Sequence, residues 1–231
     1  MNAVRLCLAE ASFYERPVKL RLPFRFGVVT LTEAPQVFVR ARVRLADGRE
    51  GEGISAELLV PKWFDKSPQL SNDDNFNQLR RSLAIAKRYM IAAGSDTPFG
   101  LSAVTEKPQR AECEQAGLNG LIASFGIALL ERAVIDALGR LEKQPAATLV
   151  RDNRLGIDAR LTPDLASFEL SRFLSGLMPA PSIHVRHTVG LLDALTRSET
   201  QGKRLDDGLP ESLERTLVGK ARRVIDRRPR G

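Results

Sequence analysis

Gln36-Val37-Phe38-Val39-Arg40-Ala41-Arg42-Val43-Arg44-Leu45 alternates strictly. Val37, Val39, Ala41, Val43 and Leu45 fall on one face, and Arg40, Arg42 and Arg44 lie between them. A period of two with β-branched residues marks a strand buried on one side. Asp47-Gly48 follows, a pair that tolerates positive φ and predicts a tight turn. Glu50-Gly51-Glu52-Gly53-Ile54 then reads as the returning strand. Gly51 and Gly53 share one of its faces and leave room for something to approach the backbone closely.

Upstream of this pair, Val18-Lys19-Leu20-Arg21-Leu22 reads as a strand that ends in an exposed loop, Pro23-Phe24-Arg25-Phe26-Gly27. Ala3 to Ser12 is a first strand, with Val4, Leu6 and Leu8 alternating. Val18 to Pro61 is therefore a β-meander on which the rest of the chain packs. Ile54 to Phe64 reads as a loop and carries Trp63, the one tryptophan, of a type found most often in a core or at a domain interface.

Helical patterns come next. Ser71-Asn72-Asp73-Asp74 offers N-cap oxygens and negative charge to a helix whose apolar face is Phe76, Leu79, Leu83, Ala86 and Met90, with Gly94 as its stop. Ser95 to Lys107 reads as a loop punctuated by Pro98 and Gly100, and Pro108 to Gly120 as a short helix. Ile122 to Lys143 is the longest helix, apolar over most of its circumference and so buried from several sides. Arg132, Asp136 and Arg140 form its narrow charged strip, where Asp136 reads as a surface ion-pair member rather than a catalytic acid. Thr162-Pro163-Asp164-Leu165 predicts a helix start, with the helix running toward Gly176. Pro179-Ala180-Pro181 resets the chain as a domain boundary would. A β-branched segment from Ser182 to Leu192 reads as one more strand, and Leu209-Pro210 opens a last helix toward Leu217. Strands first and helices after them give an α+β fold, a three-stranded antiparallel meander packed on a helical layer.

Composition narrows the function classes. The chain has 231 residues, enough for a full core, with 43% hydrophobic and 27% charged residues, the ordinary balance of a globular protein. No apolar run approaches the ~20 residues that span a bilayer. The N-terminus lacks a signal peptide's apolar core, so the expectation is a cytoplasmic protein without a membrane partner. Cys7 and Cys113 fit no metal spacing and read as two buried free thiols. The net charge is +7, but the last fourteen residues hold Lys220, Arg222, Arg223, Arg227, Arg228 and Arg230 against Asp226 alone. A nucleic-acid reading therefore rests on this tail, which otherwise reads as a solvated, disordered terminus. His184 and His187 are the only histidines, and at i, i+3 on a strand they point to opposite faces and share no metal. No P-loop, GxGxxG, HExxH or nucleophile-elbow triad is present.

The order of these elements resembles the N-terminal capping domain of the enolase superfamily, in its mandelate racemase and muconate lactonizing enzyme branch. The residues carrying the resemblance are Pro23-Phe24-Arg25-Phe26-Gly27 with Thr30, the Val37-to-Leu45 strand with Asp47-Gly48, and Gly51-Glu52-Gly53. Ala128-Leu129-Leu130-Glu131-Arg132-Ala133-Val134-Ile135-Asp136-Ala137-Leu138-Gly139 looks like the family's long helix, and the likeness runs from about Val18 to Leu217. It implies a cap over a (β/α) barrel, Mg2+ held by carboxylates on successive barrel strands, and a proton removed α to a carboxylate by Lys or His bases, as in a racemase, dehydratase or cycloisomerase. A divalent cation lowers the cost of the developing dianion. The partner implied is a small carboxylate such as an acid sugar, with a homo-oligomer possible. The cap's substrate-specificity loops correspond to Phe24 to Thr30 and Ile54 to Pro61, so Arg25, Phe26 and Glu57 are the substrate-facing candidates, with loop packing the plainer role for Phe26.

The chain departs from that pattern from Ser182 onward. A (β/α) barrel needs about 200 residues, and 50 remain. The expected organisation is a cap with its helices over 1–180, the first strand and helix of an incomplete barrel over 181–217, and a basic tail over 218–231. The family's Lys-x-Lys strand would follow next, but Lys220 has no lysine two residues on. The expectation is a reading frame that shifts near Leu217, a truncated product with no catalytic or metal-ligating residues of its own, and exposed apolar surface around the lone barrel strand. Two other classes compete: a binding module that uses the Arg-rich tail for nucleic acid or an acidic partner, and a small α+β enzyme with a site of another kind.

Overall fold

The structure is a computed structural model and describes residues 3–27, 29–178, 180–183, 188–200, 205 and 207–217. The chain falls into two compact units. The first is Met1–Val18 with Ala34–Ser182, and the second is Lys19–Glu33 with Ile183–Gly231.

The first unit is built on a sheet of order β3-β2-β1-β4, with β1 Leu6–Phe26, β2 Val29–Leu45, β3 Glu50–Leu58 and β4 Ser95–Asp96. β1 and β2 each have one end in the second unit. β2 and β3 pair antiparallel with Arg44 opposite Glu50, Val43 opposite Gly51 and Ala41 opposite Gly53. Gly48 holds φ at +89° in the turn between them. Val37, Val39, Ala41, Val43 and Leu45 are all buried, as their alternation requires. The opposite face is tied by ions: Arg42 meets Glu10 at 3.0 Å and Glu50 at 3.3 Å, and Arg44 meets Glu50 at 2.6 Å. Such exposed pairs contribute little to stability.

Three helices cover the buried face: α1 Asn72–Ala92, α2 Pro98–Gln115 and α3 Gly120–Glu142. In α1 the Asp74 amide donates to Ser71 Oγ at 3.1 Å while Asp74 Oδ2 accepts from the Ser71 amide at 2.8 Å, a complete capping box. Phe76, Leu79, Leu83, Ala86 and Met90 are buried along it. α3 is the centre of the unit, packed against β3, α1 and α2. Leu129, Leu130, Ala133, Ala137 and Leu138 are fully buried there. The close approach foreseen at the β3 glycines is the seat of this helix. A Cβ on Gly53 would lie 2.2 Å from the Ala133 carbonyl oxygen and the Ala137 nitrogen, and one on Gly51 would lie 2.6 Å from Leu141 Cγ. Ser55 Oγ donates to the Leu129 carbonyl at 2.6 Å and fixes the same contact.

Several expectations are corrected. The first two strands are one, and β4 covers it only at Leu6 and Cys7, so Pro17 and Pro23 lie where one side of β1 has no partner strand among the described residues. Residues 23–26 end β1 instead of forming a loop, and β3 runs on to Leu58, which places Glu57 in a strand. The stretch from Ser95 to Lys107 is mostly helix. Thr97 caps α2 through the Gly100 amide at 3.0 Å and Pro98 takes the first helical position, so this proline starts a helix. Pro108 lies inside α2. It leaves the Val104 carbonyl without its intrahelical donor, at a residue that is 46% exposed. Trp63 is 58% exposed rather than in a core. Its neighbour Phe64 is half-buried, edge-on to the buried Phe125 with centroids 5.3 Å apart. The helix expected from Thr162 to Gly176 is two short pieces, a 3-10 turn Pro163–Leu165 and α5 Leu170–Ser175, after a short α4 at Ala146–Arg151. Leu161, Leu165, Phe168 and Phe173 stay exposed, so no buried stripe supports a longer helix there.

In the second unit, residues 188–192 are not in a strand, and the Leu191 amide donates to the Arg25 carbonyl at 3.0 Å. Residues 213–217 are helical. Ser182 and Ile183 are not in a strand either, while residues 184–187, with His184 and His187, and the basic tail with Lys220 lie outside the described residues. Cys113 is buried and Cys7 half-buried, both as free thiols. No helix among the described residues is long and apolar enough to cross a membrane.

Candidate functional site

The candidates taken from the resemblance fall in different units. Arg25 and Phe26 end β1 in the second unit, just before Gly27, whose φ is +54°. Alternation along an extended chain sends their side chains to opposite sides. Arg25 is exposed. Phe26 is half-buried and tilts against Phe24, with centroids 5.8 Å apart, so ring packing is an actual role for it. Glu57 belongs to the first unit, opposite Val37 in the ladder. It accepts from Arg132 of α3 at 3.1 Å. That bond orients the carboxylate and neutralises it, which suits a positioning role better than proton transfer.

Sequence reading missed the best-bonded group near the hairpin end. Arg21 Nε donates to Asp207 Oδ2 at 2.5 Å and its Nη2 donates to Oδ1 at 2.7 Å. Two further donors reach the carbonyls of Pro210 at 2.9 Å and Leu209 at 3.1 Å. The fork of the guanidinium matches the carboxylate edge to edge. The Arg21 hydrogen bonds, together with the Leu209 amide, lower the Asp207 pKa to about 2. The two residues lie 186 positions apart, and neither belongs to a recognisable motif, so no local signal announces the pair. Arg21 lines a cavity of about 650 Å³ with Leu22, Pro23, Leu191, Asp193 and Glu199. With four of its five N–H donors committed, Arg21 acts as a strut of that cavity.

Asp136 behaves as its helix position predicts, and does one thing more. Its Oδ2 accepts from Arg140 at 2.8 Å and from the Ile54 amide at 2.8 Å, so it also pins an amide of edge strand β3 to α3. Glu112 accepts from Arg88 at 2.5 Å and from Tyr89 Oη at 2.8 Å, and those bonds, Arg88 first, hold its pKa below the ordinary carboxylate value. Glu131 on α3 departs the other way: burial raises its pKa, against a smaller opposing effect of Ser102. Among the described residues no group of three or more His, Cys, Asp and Glu side chains could hold a metal ion. The described chain therefore offers no fit to Mg2+.

No family model and no curated protein matches the chain. Solved structures that match it are of the mandelate racemase and muconate lactonizing enzyme kind within the enolase superfamily. One is a mandelate racemase/muconate lactonizing protein from Herpetosiphon aurantiacus, 20% identical, with a TM-score of 0.36 over 59% of this chain and 32% of that one. Another is an enolase from Bradyrhizobium complexed with magnesium and mandelic acid, 18% identical, with a TM-score of 0.39 over 72% of this chain and 44% of that one. A third is a dipeptide epimerase from Cytophaga hutchinsonii complexed with Mg and the dipeptide D-Ala-L-Val, 20% identical, with a TM-score of 0.28 over 46% and 24%. The chain thus spans less than half the length of each. A likeness of this size covers part of each molecule and does not by itself say what this chain does.

Proposed function

We propose that this chain is a non-catalytic, cap-type part of an enolase-superfamily protein, with 1–180 as the cap and its helices and 181–217 as the segment that leads into a (β/α) barrel. The observation that carries this reading is the seating of α3 on the two glycines of β3, next to a meander with one buried face. Those are the residues on which the resemblance stands. In this reading Arg25 and Phe26 in one unit and, separately, Glu57 in the other are substrate-facing positions for a small carboxylate, and a barrel would supply the bases and the Mg2+ ligands. The racemase, dehydratase or cycloisomerase chemistry belongs to intact relatives. A cytoplasmic setting, in keeping with two free thiols, and self-association are part of the same reading.

The test is α-proton exchange. The full chain, with Mg2+, is incubated in D2O with mandelate, a dipeptide and acid sugars, and the α-protons are followed by NMR. The expected result is no exchange above the protein-free control. Enzyme-dependent loss of any α-proton signal contradicts a non-catalytic cap and favours the small-enzyme class instead.

A further inference from the structure

The contact between α2 and α3 is unlike the rest of the first unit's core. Ser102, Thr105 and Gln109 recur at i, i+3 and i+7 along α2, so they share a face. They are 5%, 1% and 0% exposed. Gln109 Nε2 donates to the carbonyls of Ser82 and Ala123, both at 3.0 Å. That fixes the amide, because flipping it would set oxygen against two carbonyl oxygens. Among the described residues its Oε1 then has no protein donor and Thr105 Oγ1 has no protein partner. Ser102 stands against the half-buried Glu131 carboxyl, whose pKa it lowers as a hydrogen-bond donor would, less than burial raises it.

The backbones cannot close on this seam to satisfy it. At its Gln109 end, α1 and α3 already touch: a Cβ on Gly126 would lie 2.3 Å from the Ser82 carbonyl oxygen. Ser82 Oγ, which donates to the Ile122 carbonyl at 2.6 Å and accepts from the Gly126 amide at 3.1 Å, is saturated. The ion pairs of the surrounding elements all lie away from Glu131. On α2 Glu106 takes Arg110, on α3 Arg132 takes Glu57 and Asp136 takes Arg140, on α1 Arg80 takes Glu15 and Arg88 takes Glu112, on β3 Glu50 takes Arg44, and on α4 Arg151 takes Asp152. No ion pair to Glu131 forms among the described residues.

Thr105 Oγ1 and Gln109 Oε1, orphaned on the same buried face as Ser102 and its Glu131 carboxyl, span about 10 Å of helix from end to end and so fit a short row of small ligands that both donate and accept. We propose that the α2–α3 seam is an internal hydration site, in which water bridges Ser102 Oγ, Thr105 Oγ1 and Gln109 Oε1 toward the Glu131 carboxyl and fastens α2 to α3. A buried water makes about three hydrogen bonds to groups of this kind, and a bridged pair is nearly as favourable as a direct bond.

Thr105→Val in the full chain separates a wet seam from a dry one. If water is bound, the variant loses a bridge, and its folding equilibrium constant falls roughly fivefold to tenfold. If the seam is dry, removing an orphaned hydroxyl raises that constant, and the proposal fails. Glu131→Gln gives an independent readout. The native Glu131 pKa is raised, so its contribution to stability is complete below the ordinary carboxylate value and is lost as pH rises through the raised one. Wild-type stability should decline with pH above the ordinary carboxylate range, and Glu131→Gln should flatten that decline; an unchanged slope counts against the role of Glu131. Should Thr105→Val not fold, a high-resolution crystal structure of the unaltered chain decides. Water density bonded to at least two of the three oxygens supports the site, and side chains repacked onto one another without water overturn it.

Discussion

The two units differ in how their apolar residues are spent. In the first, Leu6, Val39, Leu83, Leu101, Leu129 and Leu130 are essentially removed from water, around a helix enclosed by a sheet and two other helices. In the second, Leu191 is 70% exposed, and Leu192, Leu195, Leu205 and Leu209 are about half exposed. Of its described residues only Leu31, Gly190, Thr200 and Ser212 are buried. The first unit has a core of its own. The second is held by polar bonds, above all the fork of Arg21 on Asp207. The difference teaches that the first unit meets the ordinary condition for independent stability, burial of apolar area, while the second leaves much of its apolar side-chain surface in water.

Substitutions can break or sharpen that contrast. The largest effect is expected for Gly53→Leu. Its side chain would have to occupy the space of the α3 backbone, so the helix must leave the sheet. Little soluble, cooperatively melting protein should be recovered, and a normal melting curve would show that α3 is not seated as described. Leu130→Ala comes next. It empties a fully buried position and should cost about 2–5 kcal/mol in urea unfolding. Ser71→Ala removes one half of the α1 capping box and should cost about 1 kcal/mol. The smallest effect on the main melting transition is expected for Asp207→Asn, since it acts in the second unit; a loss comparable to that of Leu130→Ala would mean that the two units share one stability.

Acid separates the units as well. The Asp207 pKa is depressed to about 2, so its contribution is present above the ordinary aspartate value and lost as pH falls toward 2. Titration of the Asp207 carboxyl by NMR should give a midpoint near that value, and Arg21→Ala should return it to the ordinary aspartate range.

The same contrast governs what could be read in advance. The β2 strand was legible because one face is buried and the other wet, so Val37 to Leu45 write the pleat into the residue order. The α3 helix and its landing place on Gly51 and Gly53 were legible for a related reason, since bulk on the helix and its absence on the strand are complementary. α2 was obscured by its prolines: Pro98 looks like a break and is a helix start, and Pro108 is tolerated where Val104 meets water. The polar seam has a helical period, Ser102, Thr105 and Gln109, but polar residues at that spacing normally mark a solvated face, so its burial could not be foreseen. Around Thr162 the local start signals were sound and the buried stripe was missing. Of the candidate site, Arg25, Phe26 and Glu57 came from resemblance alone. The Arg21–Asp207 fork joins residues too far apart in the chain to be paired by pattern.

The most direct measurement of the contrast is native-state amide hydrogen exchange on the full chain, read residue by residue. Amides of β2 and α3, including Val39 and Ala133, should exchange only through global unfolding, while those at Leu191, Leu195 and Leu213 should open at far lower free energy. Uniform protection across both sets would contradict the account, for it would show that the second unit is folded as firmly as the first and owes that to contacts of its own.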